Sequence, residues 1–151
     1  MSENNGNGRS FGRVSPEVAM KMWPNLYTIG IEPALPPTST PSPERRGNVM
    51  KAIQTGDLAV WIGMKQDGIN SIVTTTPTRD KITGDGNLLI YSFVLTRKPL
   101  PDDLRWGMGK LKTYAKEAGF SKMIAFTNST MVRELLGQVD ARESFIIDME
   151  V

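Results

Sequence analysis

The chain of 151 residues has no cysteine and no histidine. Without thiols there is no cysteine nucleophile, no thiolate zinc site and no disulfide. Without imidazole there is no Ser-His-Asp relay and no histidine acid-base group or metal ligand. What remains for chemistry is carboxylates, lysines, tyrosines, hydroxyls and backbone amides. No apolar run approaches the ~18 to 20 residues that a membrane-spanning helix needs. Charge of one sign is also lacking: 18 Lys and Arg against 16 Asp and Glu leave +2. The isoelectric point near 9.0 mainly reflects the missing histidines and cysteines. The densest basic groups, Arg45-Arg46, Arg97-Lys98 and Lys110-Lys112-Lys116, are scattered. They read as solvated faces and not as a stripe tracking phosphates, so nucleic acid is not the expected partner. Residues 1–8 carry no apolar stretch of the signal-peptide kind, so secretion by that route is not expected.

What is present fits one globular domain. Hydrophobic residues make up 39% and charged residues 23%, and a chain of this length buries roughly two thirds of its unfolded surface. Residues 1–13 are mostly Asn, Gly, Ser and Arg, which predicts a flexible tail. Ser15-Pro16-Glu17 reads as an N-cap, a first-turn proline and an acid, opening a short helix that ends near Pro24. Residues 26–31 fit strand or helix. Five prolines, Pro33, Pro36, Pro37, Pro41 and Pro43, make residues 32–42 an extended arm. Residues 14–42 are thus expected to be an N-terminal helix and a proline-rich arm.

Residues 43–151 read as the main domain. Ser42-Pro43-Glu44 signals a helix ending at Gly56. Strands over 58–65, 69–76 and 88–97, joined through Gln66-Asp67-Gly68 and a loop from Asp80 to Gly86, form an antiparallel meander. Leu104, Met108, Leu111, Tyr114, Ala115 and Ala118 recur at helical spacing, and Gly119 sits where a helix-terminating glycine belongs. A buried strand over 122–127, a helix capped by Asn128 and a last strand over 144–151 complete an α/β chain with a mixed sheet and a βαβ crossover.

This order resembles the GCN5-related N-acetyltransferase (GNAT) fold. The segment from Leu111 to Gly119, followed by Lys122-Met123-Ile124-Ala125-Phe126-Thr127-Asn128, is similar to that family's helix, strand and asparagine-capped helix. Gly56-Asp57-Leu58-Ala59-Val60-Trp61, Leu88-Leu89-Ile90-Tyr91 and the Ala-Phe-Thr-Asn element resemble the GNAT-like proteins of tailed bacteriophages most closely. The resemblance covers about residues 43–151. It implies that acetyl-coenzyme A would be held at the start of the main helix, where backbone amides of a glycine-containing loop cradle its diphosphate.

The residues at that place depart from the pattern. Arg105-Trp106-Gly107-Met108-Gly109 is a near-match, but counting back from Ala115 places the loop over residues 99–104, where there is no glycine and where Asp102 and Asp103 would repel a diphosphate. Gly107 and Gly109 then fall within the helix, where close packing is the simpler role. The tyrosine that protonates the leaving thiolate in active relatives corresponds to Leu135, which cannot donate a proton. Asp57, Asp67, Asp80 and Asp85 read as turn residues, Thr74-Thr75-Thr76 as strand formers, and Tyr91 and Tyr114 as packing residues.

The expectation is therefore a catalytically degenerate GNAT-like protein with no cofactor, acting as a structural or interaction module in a virion or the host cytoplasm. Its partners would be other protein subunits, virion proteins or copies of itself, met through Trp23, Pro33, Pro36, Pro37, Pro41 and Pro43. The alternative is an active acetyltransferase binding acetyl-CoA through Arg97, Lys98, Arg105, Gly107, Gly109 and Asn128. No metal site is expected.

Overall fold

A computed structural model describes residues 3–5, 8–36, 38–98, 100–126, 130–137, 141–143 and 149, the side chains of residues 3–5, 131 and 135 excepted. Six strands form one sheet in sequence order: β1 (Glu3–Asn5), β2 (Arg9–Val14), β3 (Ala59–Lys65), β4 (Gly68–Arg79), β5 (Gly86–Leu95) and β6 (Lys122–Ala125). Neighbours from β1 to β5 are antiparallel, and β5 pairs with β6 in parallel. The helices are α1 (Pro16–Lys21), α2 (Asn25–Gly30), α3 (Arg45–Thr55), α4 (Pro101–Glu117) and α5 (Thr130–Gly137), with a 3-10 turn at Glu32–Ala34.

The strand alternation sends side chains to two cores. On one face Leu58, Val60 and Ile62 of the β3 region and Ile72 of β4 pack with Ala19, Leu26, Tyr27, Ile31, Val49 and Ile53, which belong to α1, α2, α3 and the turn after α2. On the other, Phe11, Ala59, Trp61, Val73 and Ile90 pack with Leu104, Met108 and Leu111 of α4. The result is the expected mixed α/β sandwich with a meander and a βαβ crossover. The final strand expected over 144–151 lies outside the described residues, Met149 excepted.

Local chemistry explains most boundaries. Ser15 caps α1, its hydroxyl accepting from the Val18 amide at 3.2 Å, and Pro16 takes the first helical position. Helices α3 and α4 stop at Gly56 and next to Gly119, both at φ 84°, a conformation glycine adopts without steric cost. Helix α3 begins at Arg45, later than the Ser42-Pro43-Glu44 signal suggested. The Arg45 amide bonds the Ser42 carbonyl in a turn, and Glu44 makes no side-chain cap.

Two register shifts bend the sheet. Gly63 pairs with Ser71 and Met64 with Ile69, leaving Asn70 as an extra residue of β4. A Cβ on Gly63 would lie 2.1 Å from Ser71 Oγ and 2.7 Å from Asn70 Oδ1, so a larger residue there would have to displace both side chains. Thr74 pairs with Ser92 and Thr75 with Ile90, leaving Tyr91 extra on β5. Tyr91 and Ser92 consequently both face the α1–α3 side, where Tyr91 packs on the core and Ser92 bonds Thr74.

The beginning of the chain corrects the sequence reading. The part of residues 1–13 that is described is sheet, not flexible tail. Arg9–Val14 pairs with β1 on one side and β3 on the other, and Phe11 is buried, its ring 5.8 Å from that of Trp61 and stacked at 12°. Within residues 14–42, Ala19, Leu26, Tyr27 and Ile31 likewise belong to the domain's own core, buried against β3 and β4. Residues 26–31, which fitted strand or helix, are helical through Gly30, where a Cβ would press into Ile72.

Candidate functional site

The site implied by the resemblance is the start of α4. Leu100 precedes it in an extended conformation with no side-chain cap, Pro101 is the first helical residue, and Asp102 and Asp103 fill the first turn. Carboxylates there complement the partial positive charge of the helix start. Asp103 does more. Its two oxygens accept from Arg9 Nη1 at 3.0 Å and Lys65 Nζ at 2.6 Å, and its side chain is only 13% exposed. Burial opposes ionisation of this carboxyl, but the hydrogen bonds and charges of Lys65 and Arg9 outweigh it and hold its pKa below the usual value.

Arg9 is fixed by more than this pair. Its guanidinium sits 4.8 Å from the centre of the Trp106 ring, which Lys110 also approaches at 5.4 Å. Its Nε is buried and makes no hydrogen bond among the described residues. Arg9, Phe11, Gly63, Asp103, Trp106 and Gly107 border a cavity of about 40 Å³ beneath the helix. That is space for a water-sized group.

The start of α4 is a poor match to a glycine-lined phosphate cradle. Pro101 has no N–H, the Leu104 amide is already bonded to the Leu100 carbonyl, and both remaining first-turn amides belong to aspartates. Two nearby cations, Arg9 and Lys65, are bound to Asp103. Asp103 thus adds a negative charge to the first turn and holds two cations in an internal cluster.

The described residues assigned to cofactor binding in the alternative reading lie on two segments, Arg97 and Lys98 after β5 and Arg105, Gly107 and Gly109 within α4. Gly107 and Gly109 lie inside α4, past its first turn, where helix amides bond to the preceding turn. Gly107 meets the packing expectation, since a Cβ there would lie 3.9 Å from Phe11. Gly109 does not, having nothing within 4 Å. Its replacement by alanine should stabilise the protein by up to about 1 kcal/mol through helix propensity alone, raising Tm by a few degrees in a thermal melt. Arg97 is tied to the β3–β4 turn, donating to the Asp67 carbonyl at 2.9 Å and pairing with the Asp67 carboxylate. Lys98 is exposed, and Arg105 pairs with Asp102 at 3.3 Å within one helical turn. Asn128 and the side chain of Leu135 lie outside the described residues.

The other chemically suggestive residues serve the fold. Trp61 joins sheet to helix, donating from Nε1 to Thr75 Oγ1 at 2.9 Å and meeting Tyr114 edge-on at 5.0 Å. Thr74 and Thr75 are buried and engaged, Thr74 with Ser92. Asp80 Oδ1 accepts from the amides of Ile82 at 2.8 Å and Thr83 at 3.2 Å, and these bonds lower its pKa. Asp57 accepts from Thr55 and Asp85 from Thr83, as turn residues do.

The expected partner-binding arm is partly folded inward. Trp23 is half-buried on the first core, tilted against Tyr27 at 5.4 Å, and Pro36 is buried. Pro33, in the 3-10 turn, is exposed, as are Pro41 and Pro43. Pro37 lies outside the described residues. The sequence reading missed two features here. One is the Arg9–Asp103–Lys65 cluster, whose members are 94 and 38 positions apart. The other is a groove of about 530 Å³ beside the arm, into which Pro41, Arg45 and Tyr27 all border. Among the described residues there is no group of three acidic side chains able to hold a metal, and no helix long and apolar enough to cross a membrane.

Sheet order, crossover and helix placement define the fold of the GNAT acetyltransferases. Solved structures similar to this chain include a probable acetyltransferase, 12% identical with a TM-score of 0.65 over 93% of this chain and 95% of the other. A ribosomal-protein-alanine N-acetyltransferase from Brucella melitensis biovar Abortus 2308 is 14% identical, TM-score 0.62, over 92% and 99%. Glucosamine-6-phosphate N-acetyltransferase from Arabidopsis thaliana is 11% identical, TM-score 0.63, over 95% and 97%. At these identities the likeness establishes the fold. No protein-family model matches the chain, and no curated protein matches it by sequence.

Proposed function

We propose that this chain is a GNAT-fold protein without acetyl-coenzyme A chemistry that serves as a structural or interaction module. The observation that carries this reading is the acidic first turn of α4, which has no glycine and whose Asp103 engages Arg9 and Lys65. A fold shared with enzymes does not bring their activity with it. The resemblance of the first strand of the meander, residues 88–91 and the Ala125-Phe126-Thr127-Asn128 element to phage GNAT-like proteins supports a virion-associated or accessory role. The partners would then be virion proteins, other subunits or copies of the chain.

The alternative, an enzyme using the amides of residues 104–109, has those amides inside α4. A thiol-release assay separates the two readings. With acetyl-CoA and either an alanine-initiated peptide or glucosamine 6-phosphate as acceptor, release should not exceed the rate without protein. Release that is proportional to protein concentration and needs the acceptor would sink the proposal.

A further inference from the structure

The groove beside the proline arm lies between α2 and the turn that opens α3, with Tyr27, Thr28, Glu32, Ser42, Arg45 and Arg46 on its walls. Its volume, about 530 Å³, is that of a small-molecule site. Three features of its wall lack an internal explanation. Tyr27 is 3% exposed and lines the groove, yet its hydroxyl makes no hydrogen bond among the described residues. The ring is buried while the hydroxyl reaches the groove, open to a hydrogen-bonding group there. Arg45 and Arg46 make no ion pair among the described residues, although they stand side by side in the first turn of α3. Beyond the N-cap Glu44 that turn contains no acidic residue, so both cations sit against the field of their own helix. Finally, the Arg46 guanidinium rests 5.7 Å from the centre of the Trp23 ring and 5.8 Å from that of Tyr27. Contact with two aromatic rings restrains a guanidinium and leaves its N–H groups available to an oxyanion.

We propose that this groove binds the phosphate group of a small organic monoester. A phosphate dianion balances the two arginine charges and offers oxygens for both guanidinium forks and for the Tyr27 and Ser42 hydroxyls. The groove is larger than a bare phosphate, and Glu32 on its wall is an acceptor for a hydroxyl or amino group carried elsewhere on the ligand. The site is separate from the α4 start and does not depend on whether acetyl-CoA binds.

The test is an NMR titration of the full chain with inorganic phosphate and with phenyl phosphate, each to 50 mM at constant ionic strength. Saturable shifts are expected at the amides of Thr28, Ser42, Arg45 and Arg46, with phenyl phosphate binding at least threefold more tightly than inorganic phosphate. Arg45→Gln and Arg46→Gln should each weaken both at least tenfold. Tyr27→Phe, which keeps the buried ring, should weaken them about threefold with Tm little changed. Absence of saturation, or equal affinity in the arginine variants, overturns the proposal. Inorganic phosphate binding as tightly as phenyl phosphate would assign the groove to the free anion and overturn the monoester.

Discussion

Removing residues 1–14 should leave a chain that does not fold. The deletion takes away β2, which is bonded to β3 along five residue pairs, and with it Phe11. Truncation of a buried phenylalanine alone costs about 3–5 kcal/mol, against a total stability of about 5–15 kcal/mol for a domain. Loss of the strand adds the unpaired edge of β3, whose Val60, Trp61 and Ile62 are buried in the intact sheet. The truncated protein should be insoluble or show no cooperative melt by circular dichroism. A cooperative transition within a few degrees of the intact chain would restore the view of these residues as a tail.

Replacing Asp103 by alanine should cost about 2–4 kcal/mol, because it leaves Arg9 and Lys65 without their counter-charge in a partly enclosed site. Arg9 is 15% exposed and Lys65 32%, so water recovers only part of the loss. The effect should depend on pH in a defined direction. Because the folded state lowers the carboxyl pKa, the stabilisation is complete above the unfolded-state value near 4 and is lost as pH falls through the lower folded-state value. Urea denaturation should therefore show the full difference between wild type and variant at pH 7, and a shrinking one below about pH 4. A difference that is constant from pH 7 to pH 3 would mean that Asp103 acts through packing and not through its charge.

These two expectations rest on features the sequence reading handled differently. Helix α4 was legible: its apolar residues recur at 3 and 4, its first turn is acidic, and Gly119 ends it. Counting back from Ala115 placed Asp102 and Asp103 at the helix start, where they are found. The meander was legible from its alternation and turn residues, although β4 and β5 begin earlier than expected and β4 runs on to Arg79. Strand β2 was not legible. Arg-Ser-Phe-Gly-Arg-Val has too little apolar content to order itself, and the surface that orders it comes from Trp61 and β3, about fifty residues later.

The site was legible only as a departure from a family pattern. That Asp103 would find Arg9 and Lys65 could not be read locally, since one was assigned to a tail and the other to a hairpin end. Two of the residues expected to meet a partner, Trp23 and Pro36, differ for a related reason. The prolines of the arm do preclude regular strand or long helix, but Trp23 and Pro36 are drawn inward by a core whose other members lie on α3 and β3. Neither residue is therefore the simple surface contact that composition suggested.

The proposal that this chain lacks acetyl-coenzyme A chemistry predicts that the acidic start of α4, with Asp103 engaged by Arg9 and Lys65, does not accept the coenzyme. Isothermal titration calorimetry with acetyl-CoA and with coenzyme A addresses it most directly. The account predicts no saturable heat with either ligand at 1 mM. Saturable binding with a micromolar Kd, accompanied by the stabilisation of about 2.7 kcal/mol that a ligand gives at 100 times its Kd, would contradict it.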